Sequence, residues 1–262
     1  PQLFFDQFIP LTRAVESDYS KQLIEIKSTR KLKHDVYLAS VPFSDFTVFD
    51  TIMPRIPKHS QLQIGNSSAI RYAQLIPIDA SIEVYCNRGT SGIDGCTSTA
   101  IGAAVANGKP TTFITGDIGF LYDTNALWNN YIPKNFKIIL INNGGGGIFR
   151  ILPGNKNSEN FATFFETNHC LTSKLISEHF KFEYTTASSI TDLDTKWENF
   201  YSLSERPKII EIFTPSTEND KILLEESTYG KFVRNETVTG QTSKATASSS
   251  AQQSRFCTGR IA

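Results

Sequence analysis

From Gln61 onward, short apolar runs alternate with longer segments of mixed or small residues. Runs at 62–64, 82–86, 111–115, 137–141, 182–184 and 208–213 have the length and apolar bias of strands. Between them, helical patterns are predicted from Ser68 to about Gln74, over the small residues Cys96 to Val105, and over Leu171 to Phe180. Two more are predicted over Asp192 to Leu203 and from about Ser216, and the stretch after Asp117 reads as acidic turn and helix. Strand–helix alternation implies right-handed crossovers and a sheet covered on both faces. The expected fold is a doubly wound α/β domain over 59–226, with a mainly parallel sheet and helices on both faces.

Upstream the rhythm differs. Lys21 to Leu38 carries Leu23, Ile24, Ile26, Leu32 and Val36 on roughly one helical face, and Ser44 can cap a short helix over Asp45 to Met53, stopped before Pro54. Residues 1–58 read as a connector with helices from an upstream domain. The opening at Pro1, with Met53 the only methionine, reads as a cut beginning. Residues 227–262 read as a disordered or cloning-derived tail, because Thr239 to Ser254 is almost wholly small and polar and cannot offset chain entropy.

Composition narrows the function classes. The 262 residues contain 26 basic and 26 acidic side chains, so net charge gives no reason to invoke nucleic acid. No apolar run approaches the ~20 residues of a membrane span, and no secretory signal is visible; a cytoplasmic location is expected. The cysteines (Cys86, Cys96, Cys170, Cys257) lack metal-type spacing and read as reduced thiols. The histidines (His34, His59, His169, His179) form no ligand pattern, and none is expected in a site. Gly144 to Gly147 lacks the Lys-Ser/Thr of a Walker A loop.

The candidate chemistry lies in TGDIGFLYDTNALWNNYIPKNFKIILINNGGGGIF, Thr115 to Phe149. Asp117 follows one apolar run, and Asn142-Asn143 follow the next. Both positions fall at strand carboxyl ends, where open parallel sheets bind ligands. A carboxylate, an amide oxygen and a glycine carbonyl are hard donors suited to Mg²⁺. The competing reading is an ordinary βαβ unit with polar turns.

Gly-Asp followed 26 positions later by the second Asn of Asn-Asn resembles the thiamine diphosphate motif. That resemblance implies Mg²⁺ or Mn²⁺ held by Asp117, the Asn143 side chain and the Gly145 carbonyl, beside Gly116. GNSSAIR (65–71), NRGTSGIDG (87–95) and NNGGGGIF (142–149), in this order, resemble the thiamine diphosphate-dependent SEPHCHC synthases of the menaquinone pathway. That family decarboxylates 2-oxoglutarate and adds the succinyl unit to isochorismate. The resemblance implies substrate binding by Arg71, Arg88, Asn66 and Ser67; an arginine fork suits carboxylates. It also implies cofactor contacts from Ser91, Gly92, Ile93, Ile148 and Phe149, with Leu152 extending the apolar wall. Asn66 and Ser67 can equally cap a helix, Ile93 can be plain core, and Asp94 is explained by its turn.

In the family, the activating glutamate belongs to an amino-terminal pyrimidine domain, normally of the opposite subunit of a homodimer or homotetramer. No such domain is present here. The chain is therefore expected to be a carboxy-terminal fragment holding the diphosphate–metal half of the site, inactive alone, with no catalytic residue of its own. Three alternatives stay open: another thiamine diphosphate enzyme such as an acetolactate-synthase-like decarboxylase, a separate cofactor-domain subunit, or a non-catalytic α/β binding module.

Overall fold

The computed structural model describes residues 2–152, 154, 156 and 158–229, the last three by backbone alone. Two compact units are present, one of residues 1–40 with a stretch from Glu226, the other from Val41 to Glu225. The first contains α1 (Gln2–Phe8) and the 20-residue α2 (Tyr19–Leu38). Leu23, Ile24, Leu32 and Val36 of α2 are exposed.

The second unit begins with α3 (Asp45–Ile52). Ser44 caps it: its hydroxyl accepts from Thr47 N, and Thr47 Oγ1 accepts from Ser44 N at 2.9 Å. Phe46, Val48, Phe49 and Ile52 are fully or nearly fully buried. Residues 41–58 thus pack with the sheet, and the expected connector over 1–58 divides near residue 40. The remaining elements are β1 (Gln61–Ile64), α4 (Ser68–Ala73), β2 (Glu83–Cys86), α5 (Cys96–Asn107), β3 (Thr111–Gly116), α6 (Asp117–Tyr122), β4 (Phe136–Asn142), α7 (Lys174–His179), β5 (Glu183–Ala187), α8 (Ile190–Tyr201), β6 (Lys208–Phe213) and α9 (Asn219–Tyr229). The expected tail lies, from residue 230, outside the described residues.

All six strands are parallel, in the order β2-β1-β3-β4-β6-β5. Every position of β4 is buried, as a central strand covered on both faces requires. α5 is built from small residues, and Ala100 and Ala104 pack against Phe113, Phe136, Ile138 and Leu140 of the sheet. The chain leaves β1 toward β2 and leaves β3 toward β4, in opposite directions. The gap between the carboxyl ends of β1 and β3 is therefore a topological switch point, where such sheets bind ligands.

Two helices start later than the sequence predicts. Leu171 to Phe180 is helical only from Lys174, because the Ser173 backbone N and hydroxyl are bonded to Glu211 at 3.0 and 2.9 Å. The helix expected from Ser216 begins at Asn219. Cys86 and Cys96 are free thiols. Among the described residues, no helix is long and apolar enough to cross a membrane.

Candidate functional site

A cavity of about 580 Å³ opens over the switch point, lined from the ends of β1, β3 and β4. Gly65 lets β1 and β3 approach there; a Cβ on it would stand 2.9 Å from Thr115 Oγ1. Asn66 and Ser67 follow. Ser67 has φ +71° and ψ −129°, a conformation costing roughly 1–3 kcal/mol outside glycine. Neither residue caps α4.

Asn66 is 4% exposed and fully engaged. Its Nδ2 donates to the carbonyls of Asn87 (2.7 Å) and Gly92 (2.6 Å), and its Oδ1 accepts from Arg88 Nη1 at 3.1 Å. It thereby pins the 87–92 loop and aims Arg88. Arg71 Nη1 donates to Ser67 O at 3.0 Å. Both arginines reach the cavity, and among the described residues neither has an acidic partner.

The acidic side is built on β3 and β4, which are adjacent in register. Asp117 is 4% exposed. Its Oδ2 accepts from Gly144 N (2.9 Å) and Gly145 N (3.1 Å), and its Oδ1 accepts from Ile118 N (2.6 Å). Gly145 has φ +154°, and a Cβ there would meet Glu166 O at 2.7 Å, so only glycine fits. Its carbonyl accepts from Gly147 N at 3.1 Å and keeps a second lone pair. Asn143 Nδ2 donates to Asp45 Oδ2 at 2.9 Å.

Of the residues the sequence points to, Asn66, Ser67, Arg71, Arg88, Ser91, Ile93, Gly116, Asp117, Asn143, Gly145, Ile148, Phe149 and Leu152 all line the cavity. Gly92 does not; it stands behind the wall with its carbonyl bound to Asn66. Phe164, Phe165 and Tyr122 also line it and carry no motif.

Sequence patterns miss two further groups. Asp45, at the start of α3, is 2% exposed and lines the cavity. Burial pushes its carboxyl up to about 6, against the hydrogen bonds from Thr214 and Asn143, and Asp117 adds to the rise. His169, excluded on spacing, stands with Nε2 3.4 Å from Asp117 Oδ2, an ion-pair distance without hydrogen-bond geometry. Its Nδ1 accepts from Leu171 N at 3.1 Å, so the neutral ring carries its proton on Nε2. The Asp117 carboxylate raises the imidazole above its ordinary range, while burial opposes this. Neither position carried a signal, since each meets the site through tertiary packing alone.

No protein-family model matches the chain. Curated relatives do. A 2-succinyl-5-enolpyruvyl-6-hydroxy-3-cyclohexene-1-carboxylate (SEPHCHC) synthase of Flavobacterium psychrophilum is 58% identical over 224 residues, 86% of this chain and 40% of that protein. This chain is homologous to SEPHCHC synthases. The Flavobacterium johnsoniae synthase is 58% identical over 223 residues, and the Bacteroides fragilis synthase 40% identical over 185. The chain spans about 40% of the length of the Flavobacterium synthases. Among solved structures, the thiamine diphosphate-dependent 4-hydroxybenzoylformate decarboxylase of Rhodococcus jostii RHA1 superposes with a TM-score of 0.53 and 19% identity. That match covers 67% of this chain and 34% of the decarboxylase and shows that the two share a fold.

Proposed function

We propose that this chain is the carboxy-terminal, diphosphate- and metal-binding part of a SEPHCHC synthase. In that reading the whole protein decarboxylates 2-oxoglutarate and joins the succinyl unit to isochorismate, in the cytoplasm. One observation carries the proposal: the Gly-Asp and Asn-Asn turns meet on adjacent strands and face two arginines across one cavity. Relatives bearing the synthase name support it.

The donor set fits a divalent cation. Asp117 Oδ2 is occupied by two backbone N–H groups and Oδ1 by one, which leaves a lone pair on Oδ1, the Asn143 amide oxygen and the free lone pair of Gly145 O. Three hard oxygens with space for phosphate oxygens and water suit Mg²⁺ or Mn²⁺. Gly116, Ser91, Ile93, Ile148 and Phe149 would flank thiamine diphosphate, which when bound supplies the nucleophilic carbon and the electron sink for decarboxylation. Gly92 would act through its backbone, as the anchor for Asn66.

Arg71 and Arg88 would bind substrate carboxylates. Holding an anion away from water strengthens each charge-assisted hydrogen bond, worth about 1.5–3 kcal/mol. Asn66 would serve by aiming Arg88 rather than by touching substrate, since both its N–H groups are used. Ser67, in its strained conformation, presents a hydroxyl at the cavity wall. Ile148, Phe149 and Leu152 would keep water from the reacting carbon. The activating glutamate would come from an amino-terminal pyrimidine domain of a second subunit.

The test is titration calorimetry of thiamine diphosphate into the chain, with Mg²⁺ and with chelator. Metal-dependent binding, lost in Asp117→Ala, is the expected result. Binding that ignores the chelator would refute the metal assignment.

A further inference from the structure

Asp45 belongs to no motif, yet it is the side chain that grips Asn143. A carboxamide has two ends of nearly equal shape, and only one of them donates. The Asn143 Nδ2 end donates to Asp45 Oδ2 at 2.9 Å. A carboxylate offers only acceptors, so the reversed carboxamide would set oxygen against oxygen in a buried place.

Asp45 is itself held from several sides. Its Oδ1 accepts from Thr214 Oγ1 at 2.6 Å, and its backbone N donates to Asn219 Oδ1 at 2.9 Å. Asn219 is oriented in turn, because its Nδ2 donates to Pro215 O at 2.7 Å. Thr214 N donates to Asn142 O at 3.0 Å, which ties this anchor to the end of β4. The carboxylate therefore sits at a fixed point relative to the strand that carries Asn143.

We infer that Asp45 is a positioning residue that fixes the Asn143 carboxamide with its oxygen, not its nitrogen, presented to the metal. This rests on the cofactor reading above. Outer partners that orient metal ligands commonly change metal affinity on the order of tenfold to a hundredfold.

The experiment titrates Mg²⁺ into the chain at saturating thiamine diphosphate, reading the metal dissociation constant by calorimetry and the fold by circular dichroism. Asp45→Leu should weaken metal binding on the order of tenfold to a hundredfold. Asp45→Asn should stay within about threefold of wild type, since its oxygen can still accept from Asn143 while its NH₂ turns to the Thr214 hydroxyl. In an Asn143→Ala background, Asp45→Leu should cause no further loss, the non-additivity expected of groups acting in series. A folded Asp45→Leu protein with wild-type metal affinity overturns the inference. So does an undiminished further loss in the Asn143→Ala background. If Asp45→Leu does not fold, Thr214→Val decides: about threefold weaker metal binding supports the role, as expected for loosening one anchor, and unchanged affinity overturns it. A wild-type chain that takes up no metal with the cofactor removes the cofactor reading and this inference together. Uptake by wild type and by folded Asp45→Leu alike removes the inference alone.

Discussion

Asn142 and Asn143 are neighbours in sequence and live in different chemical worlds. Asn142 is 5% exposed, and all its polar atoms are consumed. Its Nδ2 donates to Leu171 O (2.9 Å) and Glu211 Oε1 (2.7 Å), and its Oδ1 accepts from Gly144 N at 3.1 Å. Glu211 also accepts from the Ser173 hydroxyl (2.9 Å) and the Tyr184 hydroxyl (2.6 Å). Burial, with that bond to Glu211, pushes the Tyr184 phenol well above its ordinary range. Asn143 lines the cavity and, among the described residues, donates to Asp45 alone. Successive strand residues point to opposite faces, so an Asn-Asn pair ending a strand gives one side chain to the scaffold and one to the site.

The largest expected effect breaks the scaffold half. Glu211→Ala leaves buried donors on Asn142, Ser173 and Tyr184 without an acceptor, which should cost about 3 kcal/mol or more. Thermal unfolding should show a fall in Tm of roughly 6–12 °C for a unit of this size. Asn143→Ala should do the reverse: stability within about 1 kcal/mol of wild type, and affinity for Mg²⁺ with thiamine diphosphate lower on the order of a hundredfold. Equal destabilisation by both variants would erase the distinction between the two asparagines.

Arg88→Met sharpens the comparison on the substrate side. In the complete protein it should raise the KM for an anionic substrate by about tenfold, the loss of one charge-assisted contact, while cofactor affinity in this chain stays unchanged. A shift in cofactor affinity instead would place Arg88 on the diphosphate.

A pH-dependent effect, separate from the site, lies at the other end of the same strands. Lys137 and Lys208 are register partners and both are buried. Burial, then the neighbouring Lys208, lowers the Lys137 ammonium to about 8, with Glu183 opposing. The folded state therefore holds its proton less tightly than the unfolded chain, whose lysine keeps the ordinary value. Linkage then makes this group's contribution unfavourable below about pH 8 and progressively relieved between about 8 and 10.5. Denaturant unfolding should show stability rising across that window, and Lys137→Met should flatten the rise while leaving metal binding untouched.

The sheet was legible because its strands are apolar runs bounded by polar turns, and FKIILIN could hardly be anything but a central strand. The cavity wall was legible where a backbone requirement leaves a mark, as at the glycines after Asn143. Asp45 and His169 were illegible for one reason. Each reaches the site from an element far along the chain, 72 residues before and 52 residues after Asp117, at positions no local pattern relates to it. Asp45 looks like the first residue of a capped helix, and it is one; its second role exists only once the fold brings it to Asn143 and Thr214, just past the ends of β4 and β6. The late start of α7 has a similar origin, since Ser173 reads as a helix former until Glu211 takes its N–H and hydroxyl.

The central claim is that Asp117, Asn143 and Gly145 hold the cofactor's metal. Its most direct test is a crystal of this chain grown with thiamine diphosphate and Mn²⁺, with the metal located by its anomalous scattering. The account predicts a single strong peak within coordination distance of an Asp117 carboxylate oxygen, Asn143 Oδ1 and Gly145 O. A cofactor bound with its metal on other ligands, or with Asn143 turned so that its nitrogen faces the peak, would contradict it.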